Sequence, residues 1–123
     1  MRLAALLALL ALVSVLGLLQ IIALQEFLYW RIWWFDLIMH FLGGIILGGI
    51  AVFFFTYIAP LRRFAFPVFL IVLIGVGIGW EVLEFSTGMY TSQNYTLDTA
   101  LDLLMDTLGA VLVYGLTRYG TQA

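Results

Sequence analysis

The sequence predicts an all-α fold, an integral membrane bundle of four transmembrane helices forming a single transmembrane domain over residues 1–123. Two observations carry that expectation. The chain is 65% hydrophobic and only 10% charged, and its apolar residues gather in four stretches long enough to cross a bilayer. Soluble domains carry roughly 25% charged residues and about 45–50% apolar ones. A domain this small has too much surface for its volume to hide such an excess from water, and lipid removes the problem.

A bilayer core takes about 20 consecutive apolar residues per helix. The segments at about 3–24, 33–59, 64–85 and 97–118 qualify. The first is expected to be a retained helix and not a signal peptide, because its apolar run is long and no small-x-small cleavage site follows. Gln25 and Glu26, followed by Phe27, Tyr29 and Trp30, mark an interface, where aromatic residues with a polar edge prefer to lie. Trp33 and Trp34 extend that belt. Pro60 with Arg62 and Arg63 ends the second span, and the polar, turn-rich TGMYTSQNY at 87–95 separates the last two.

The seven acids and the single histidine are placed unevenly on this topology. Asp36 and His40 fall in the first two turns of the second span, and Glu81 and Glu84 in the last two turns of the third. Asp98, Asp102 and Asp106 descend the fourth from the same end. At 1.5 Å per residue these groups occupy the terminal ~12–15 Å of their helices. Each set also shares a helical face: Asp36 and His40 are i and i+4, Glu81 and Glu84 are i and i+3, and the three aspartates follow at i+4 intervals. Gly43, Gly44, Gly77 and Gly109 lie about one turn away on these faces. Gly44 and Gly48 form the G-x-x-x-G pair that lets membrane helices approach closely. A polar stripe that shares its face with glycines is expected to point into the bundle, with Ser14, Gly17 and Gln20 of the first span as a further wall.

Each charge at mid-membrane costs roughly 2.5–3.5 kcal/mol on insertion scales. Protons or divalent ions are the available neutralisers, since His40 and Arg31 are the only cations at that end. Asp36, His40, Glu81, Glu84, Asp102 and Asp106 are therefore the candidate metal ligands. Carboxylates suit Mg, Ca or Mn, and one imidazole shifts the preference toward Mn, Fe or Zn. Facing helices with carboxylates and imidazole are similar to the di-metal carboxylate bundles, but this chain has one His and lacks their Glu-x-x-His pair. No organic cofactor is implied. The absence of Cys excludes disulfides and thiolate ligands. A chain with no Lys and five Arg offers no basic patch for nucleic acid. Asp98, after Thr96 and Leu97, reads as the N-cap of the fourth span. The segment 87–95 is expected to lie over the acids as a lid.

The motifs DLIMHFLGG from Asp36 to Gly44, GWEVLEF from Gly79 to Phe85 and DTALDLLMDTLG from Asp98 to Gly109 resemble those of small bacterial integral membrane proteins of the VanZ-like and YjdF-like groups. The resemblance covers the last three spans. VanZ-like proteins carry Lys at the position of Leu37 and Asn at that of Asp106, so the match is closer to the YjdF-like group. It implies that Asp36, His40, Glu84, Asp102 and Asp106 are the positions held in common, and for VanZ-like members a link to glycopeptide-antibiotic tolerance. The functions to be weighed are an envelope protein that binds or acts on a lipid or lipid-linked substrate, a structural subunit of an oligomer or larger membrane complex, and an ion or proton carrier. A carrier needs polar groups continuing to the far side, and that half has none.

Arg2, Arg62, Arg63 and Arg118 fall on one side of the four spans and Arg31 on the other, which places both termini in the cytoplasm by the positive-inside rule. An impermeant thiol reagent on intact cells should label Ser92→Cys and spare Gln122→Cys. The reverse pattern would invert the topology.

Overall fold

The structure, a computed structural model, describes residues 2–57, 65–89 and 93–120. Pro60, Arg62, Arg63 and residues 90–92 of the expected lid lie outside the described residues. The elements are α1 (Arg2–Gln25), α2 (Leu28–Arg31), α3 (Phe35–Tyr57), α4 (Ala65–Thr87) and α5 (Tyr95–Gly120). Four of these five helices are long and apolar enough to cross a membrane. The architecture is an all-α bundle.

The central pair is α3 with α5, packed in parallel. Gly44 lies against the main chain of Asp106, Gly48 against that of Ala110, and Gly109 against Phe41 and Ile45 in return. A Cβ at Gly48 would come within 2.8 Å of Ala110 Cα, closer than real atoms approach. Small residues are needed because helices in lipid gain no hydrophobic free energy from pairing and rely on close packing. The other helices run antiparallel to this pair. On one flank α1 seats Ala23 against Phe35 and Met39. On the other, Phe69 and Leu73 of α4 pack on Ala110 of α5. No Cα of α1 lies within 8 Å of one in α4, so the two outer helices leave a gap between them.

The ends of the helices are set by local chemistry. Phe27 adopts a left-handed conformation at φ 55° that breaks the path of α1. The interface stretch expected only as a break contains the single helical turn α2, whose Trp30 and Arg31 amides donate to the Phe27 carbonyl. Tyr29 packs edge-on against Phe35 with ring centroids 5.2 Å apart and donates its hydroxyl to Gln20 Oε1. Burial, reinforced by the Asp36 charge, raises the Tyr29 hydroxyl above the ordinary phenol range, so it remains a donor. At the end of α4, Gly88 takes φ 70°, with Met89 N donating to Glu84 O at 3.0 Å and Gly88 N to Phe85 O at 3.4 Å. That pair of bonds is a Schellman motif.

The expected N-cap at Asp98 is corrected by the structure. Asn94 Oδ1 accepts from Leu97 N at 3.2 Å, so Asn94 caps α5 and Asp98 sits in the first turn. Asn is among the preferred caps, and its placement one turn earlier starts the helix at Tyr95.

Gly44→Ala and Gly109→Ala should each destabilise the bundle by about 1–3 kcal/mol through overpacking. Gly115→Ala, whose Cβ meets nothing within 4 Å, should leave stability unchanged or raised. Thermal unfolding in detergent checks the contrast, and three equal melts would show that α3 and α5 do not pair this way.

Candidate metal centre

The parallel register of α3 and α5 decides which side chains meet. His40 stands one turn before Gly44, and Asp102 and Asp106 stand on the α5 face that Gly109 continues. Holding the backbones in contact at the glycines brings these side chains together one turn away. From α4, Glu81 and Glu84 enter the same space, and Asp36 joins from the first turn of α3. The result surrounds one imidazole with carboxylates from three helices.

The distances around the ring differ on its two sides. Nε2 has Asp36 Oδ1 at 3.7 Å, Asp102 Oδ2 at 3.9 Å and Glu81 Oε1 at 4.0 Å. All three exceed a hydrogen bond. They match the spacing of atoms that share an ion, because ligands at ~2.0–2.2 Å from one metal lie up to about 4 Å apart. On the other side, Nδ1 has Asp106 Oδ2 at 3.4 Å. That is the arrangement by which a second carboxylate fixes the tautomer and angle of a metal-binding imidazole.

Satisfaction of the acids is also uneven. Trp80 Nε1 donates to Glu84 Oε1 at 2.7 Å, and Thr99 Oγ1 donates to Glu81 Oε2 at 2.8 Å. Glu81 Oε1 and both oxygens of Asp102 are buried with no hydrogen-bond partner among the described residues. Asp102 is 1% exposed, which makes its two unpaired oxygens the least hydrated acceptors of the cluster. An unmatched buried carboxylate is among the most costly features a fold can carry. Of these, Glu81 Oε1 and Asp102 Oδ2 face the imidazole.

All six sequence-predicted residues converge at one end of the bundle, but not in one role. Asp36, His40 and Asp102 form one set whose ligand atoms lie within 4.8 Å of one another, and His40, Glu81 and Glu84 form another. Asp106 belongs to neither, since it addresses the opposite ring nitrogen. Arg31, expected as a second cation, is exposed and donates to the Glu26 carbonyl at 3.5 Å. His40 is therefore the one basic side chain within the cluster among the described residues. At the flank of the expected lid, Tyr95 donates to the Glu81 carbonyl at 2.9 Å.

Sequence reasoning missed Trp80, Thr99 and the Gln20–Tyr29 pair. Trp80 had a legible signal, being i and i+4 with Glu84 on one helix. Thr99 had a weaker one, standing one turn before Asp102. Gln20 and Tyr29 are separated by the turn at Phe27, so no helical spacing links them.

No curated protein and no solved structure matches the chain. A family model described as "Predicted membrane protein (DUF2238)" matches residues 1–121, from the first helix through the last. With its apolar helices and a buried cluster of acids around one histidine, the chain belongs to this DUF2238 family of predicted membrane proteins.

Proposed function

We propose that the chain binds one divalent transition-metal ion at His40 Nε2, Asp36 and Asp102, with Glu81 in the adjoining set, and presents it to an envelope lipid or a lipid-linked substrate. The observation that carries this reading is the set of three carboxylate oxygens at 3.7–4.0 Å from Nε2, with those of Asp102 and Glu81 unpaired. A network of protonated acids would instead join these oxygens by hydrogen bonds. Imidazole with carboxylates favours Mn, Fe or Zn over Mg or Ca. Such an ion polarises a phosphate or acyl oxygen, or makes a bound water a nucleophile. Asp106 orients the imidazole, and Trp80 holds Glu84 beside the site as a further acceptor. The arginine distribution supports placement in the cytoplasmic membrane with this end facing outward. The narrower likeness to VanZ-like and YjdF-like proteins supports an envelope role, because the positions shared by motif are those around His40.

Chelator-treated protein should melt lower in detergent, and Mn or Zn at about 100 times its dissociation constant should restore roughly 2.7 kcal/mol. Mg and Ca should restore less, and His40→Ala should remove the preference. Asp106→Asn should weaken binding by about 10–100-fold, as loss of an orienting carboxylate does. If no metal co-purifies and no cation moves the melt, the cluster is a hydrogen-bond network.

Asp102→Asn tests the same reading from the other direction. Replacing a buried carboxylate that no group matches should leave the metal-free protein at least as stable. It should also abolish stabilisation by Mn. A variant less stable than the parent in chelator would show that Asp102 is already satisfied.

A further inference from the structure

The gap between α1 and α4 is a cavity of about 390 Å³, walled by Leu16 and Gly17 of α1 and by Val76 and Trp80 of α4. Its floor runs along α3 from His40 to Leu47, about 10 Å at helical rise. Val13, Val76 and Trp80 at its rim remain well exposed, so the cleft opens sideways. Apart from Tyr29 at one end, its lining residues belong to membrane-spanning segments, so the cleft continues the lipid-facing surface of both outer helices. Its polar lining is confined to His40, Asp106 and the mutually bonded Gln20 and Tyr29, beside the indole of Trp80, and the rest is apolar. That polarity is the polarity of a membrane amphiphile.

We propose that this cleft takes one hydrocarbon chain of a phosphate-bearing membrane lipid from the bilayer and sets its head beside His40. A chain moving from bilayer to cleft gains no hydrophobic free energy, so selectivity must come from the head. The acids repel a bare phosphate, so the head-group half rests on the metal reading above. The chain half rests on the cleft alone.

The test uses the full chain in phosphatidylcholine nanodiscs with two photoactivatable single-chain probes, an alkyl phosphate and the matched alkyl alcohol. Gly17 and Gly75 both have open space where a Cβ would stand, but only Gly17 lines the cleft. Adducts should form at Leu16, Leu47 and Val76. Gly17→Trp, which fills the cleft, should reduce them about tenfold, while Gly17→Ala and Gly75→Trp keep them. Mn should raise the phosphate adducts severalfold over chelated protein and leave the alcohol adducts unchanged.

Adducts spread over outward residues such as Leu18 and Ile71, with no loss in Gly17→Trp, would overturn the cleft whatever the metal does. The same would follow if a neighbouring copy of the chain cross-linked to Gly17 in place of the probe. Adducts lost in Gly17→Trp but equal for both probes, with and without Mn, would uphold the chain site and overturn the phosphate head. Absence of any Mn effect on the melt, with these adducts intact, would count against the metal reading alone.

Discussion

Gly44 and Gly48 rest on the main chain of α5, and Gly109 rests on that of α3. With no side chain between them, the two backbones approach to a distance at which short side chains one turn away must share a single space. His40 has four carboxylate neighbours there, Asp36, Glu81, Asp102 and Asp106, and lies 3.4–4.0 Å from each. Larger residues at the glycine positions would separate the helices and leave the acids individually stranded in lipid. Close packing and concentrated charge are thus one feature, since the same faces carry both.

Concentration has a cost that the bundle leaves uncompensated. Trp80 and Thr99 each satisfy one carboxylate oxygen, and Asp106 occupies one ring nitrogen. Among the described residues, Asp102 receives no hydrogen bond at the most buried position of the cluster. Natural folds leave buried charge unmatched mainly where function requires it, and stability is lost in exchange. The orientation of the imidazole fits the same account. A ring held at Nδ1 by a carboxylate presents Nε2 in a fixed direction, toward the three oxygens it does not bond.

The outer helices serve the central pair differently. Through Phe69 and Leu73, α4 is anchored close enough to deliver Glu81 and Glu84. By contrast, α1 is held mainly near its end, where Ala23 meets Phe35 and Tyr29 reaches Gln20, and it stands away from α4. Its apolar surface is exposed around most of its circumference, as suits a helix whose neighbour is lipid. The cleft is the consequence of that loose placement.

The four helices, the end at which the acids lie and the faces they share were legible in the sequence, because hydropathy and helical spacing are local properties. Asp36 and His40 must share a face wherever the helix goes, and an acid-rich end with a single arginine is visible by counting. Which nitrogen of His40 faces which carboxylate was not legible. His40 and Asp106 are 66 positions apart, and their meeting depends on the rotation and register of two helices. The G-x-x-x-G pair announces close approach without naming a partner, and only packing selected α5 in parallel with α3. Packing likewise separated Asp106 from the other acids in role and opened the cleft between α1 and α4. Contacts between distant segments are set by the summed fit of whole helix faces, which no single stretch of sequence contains.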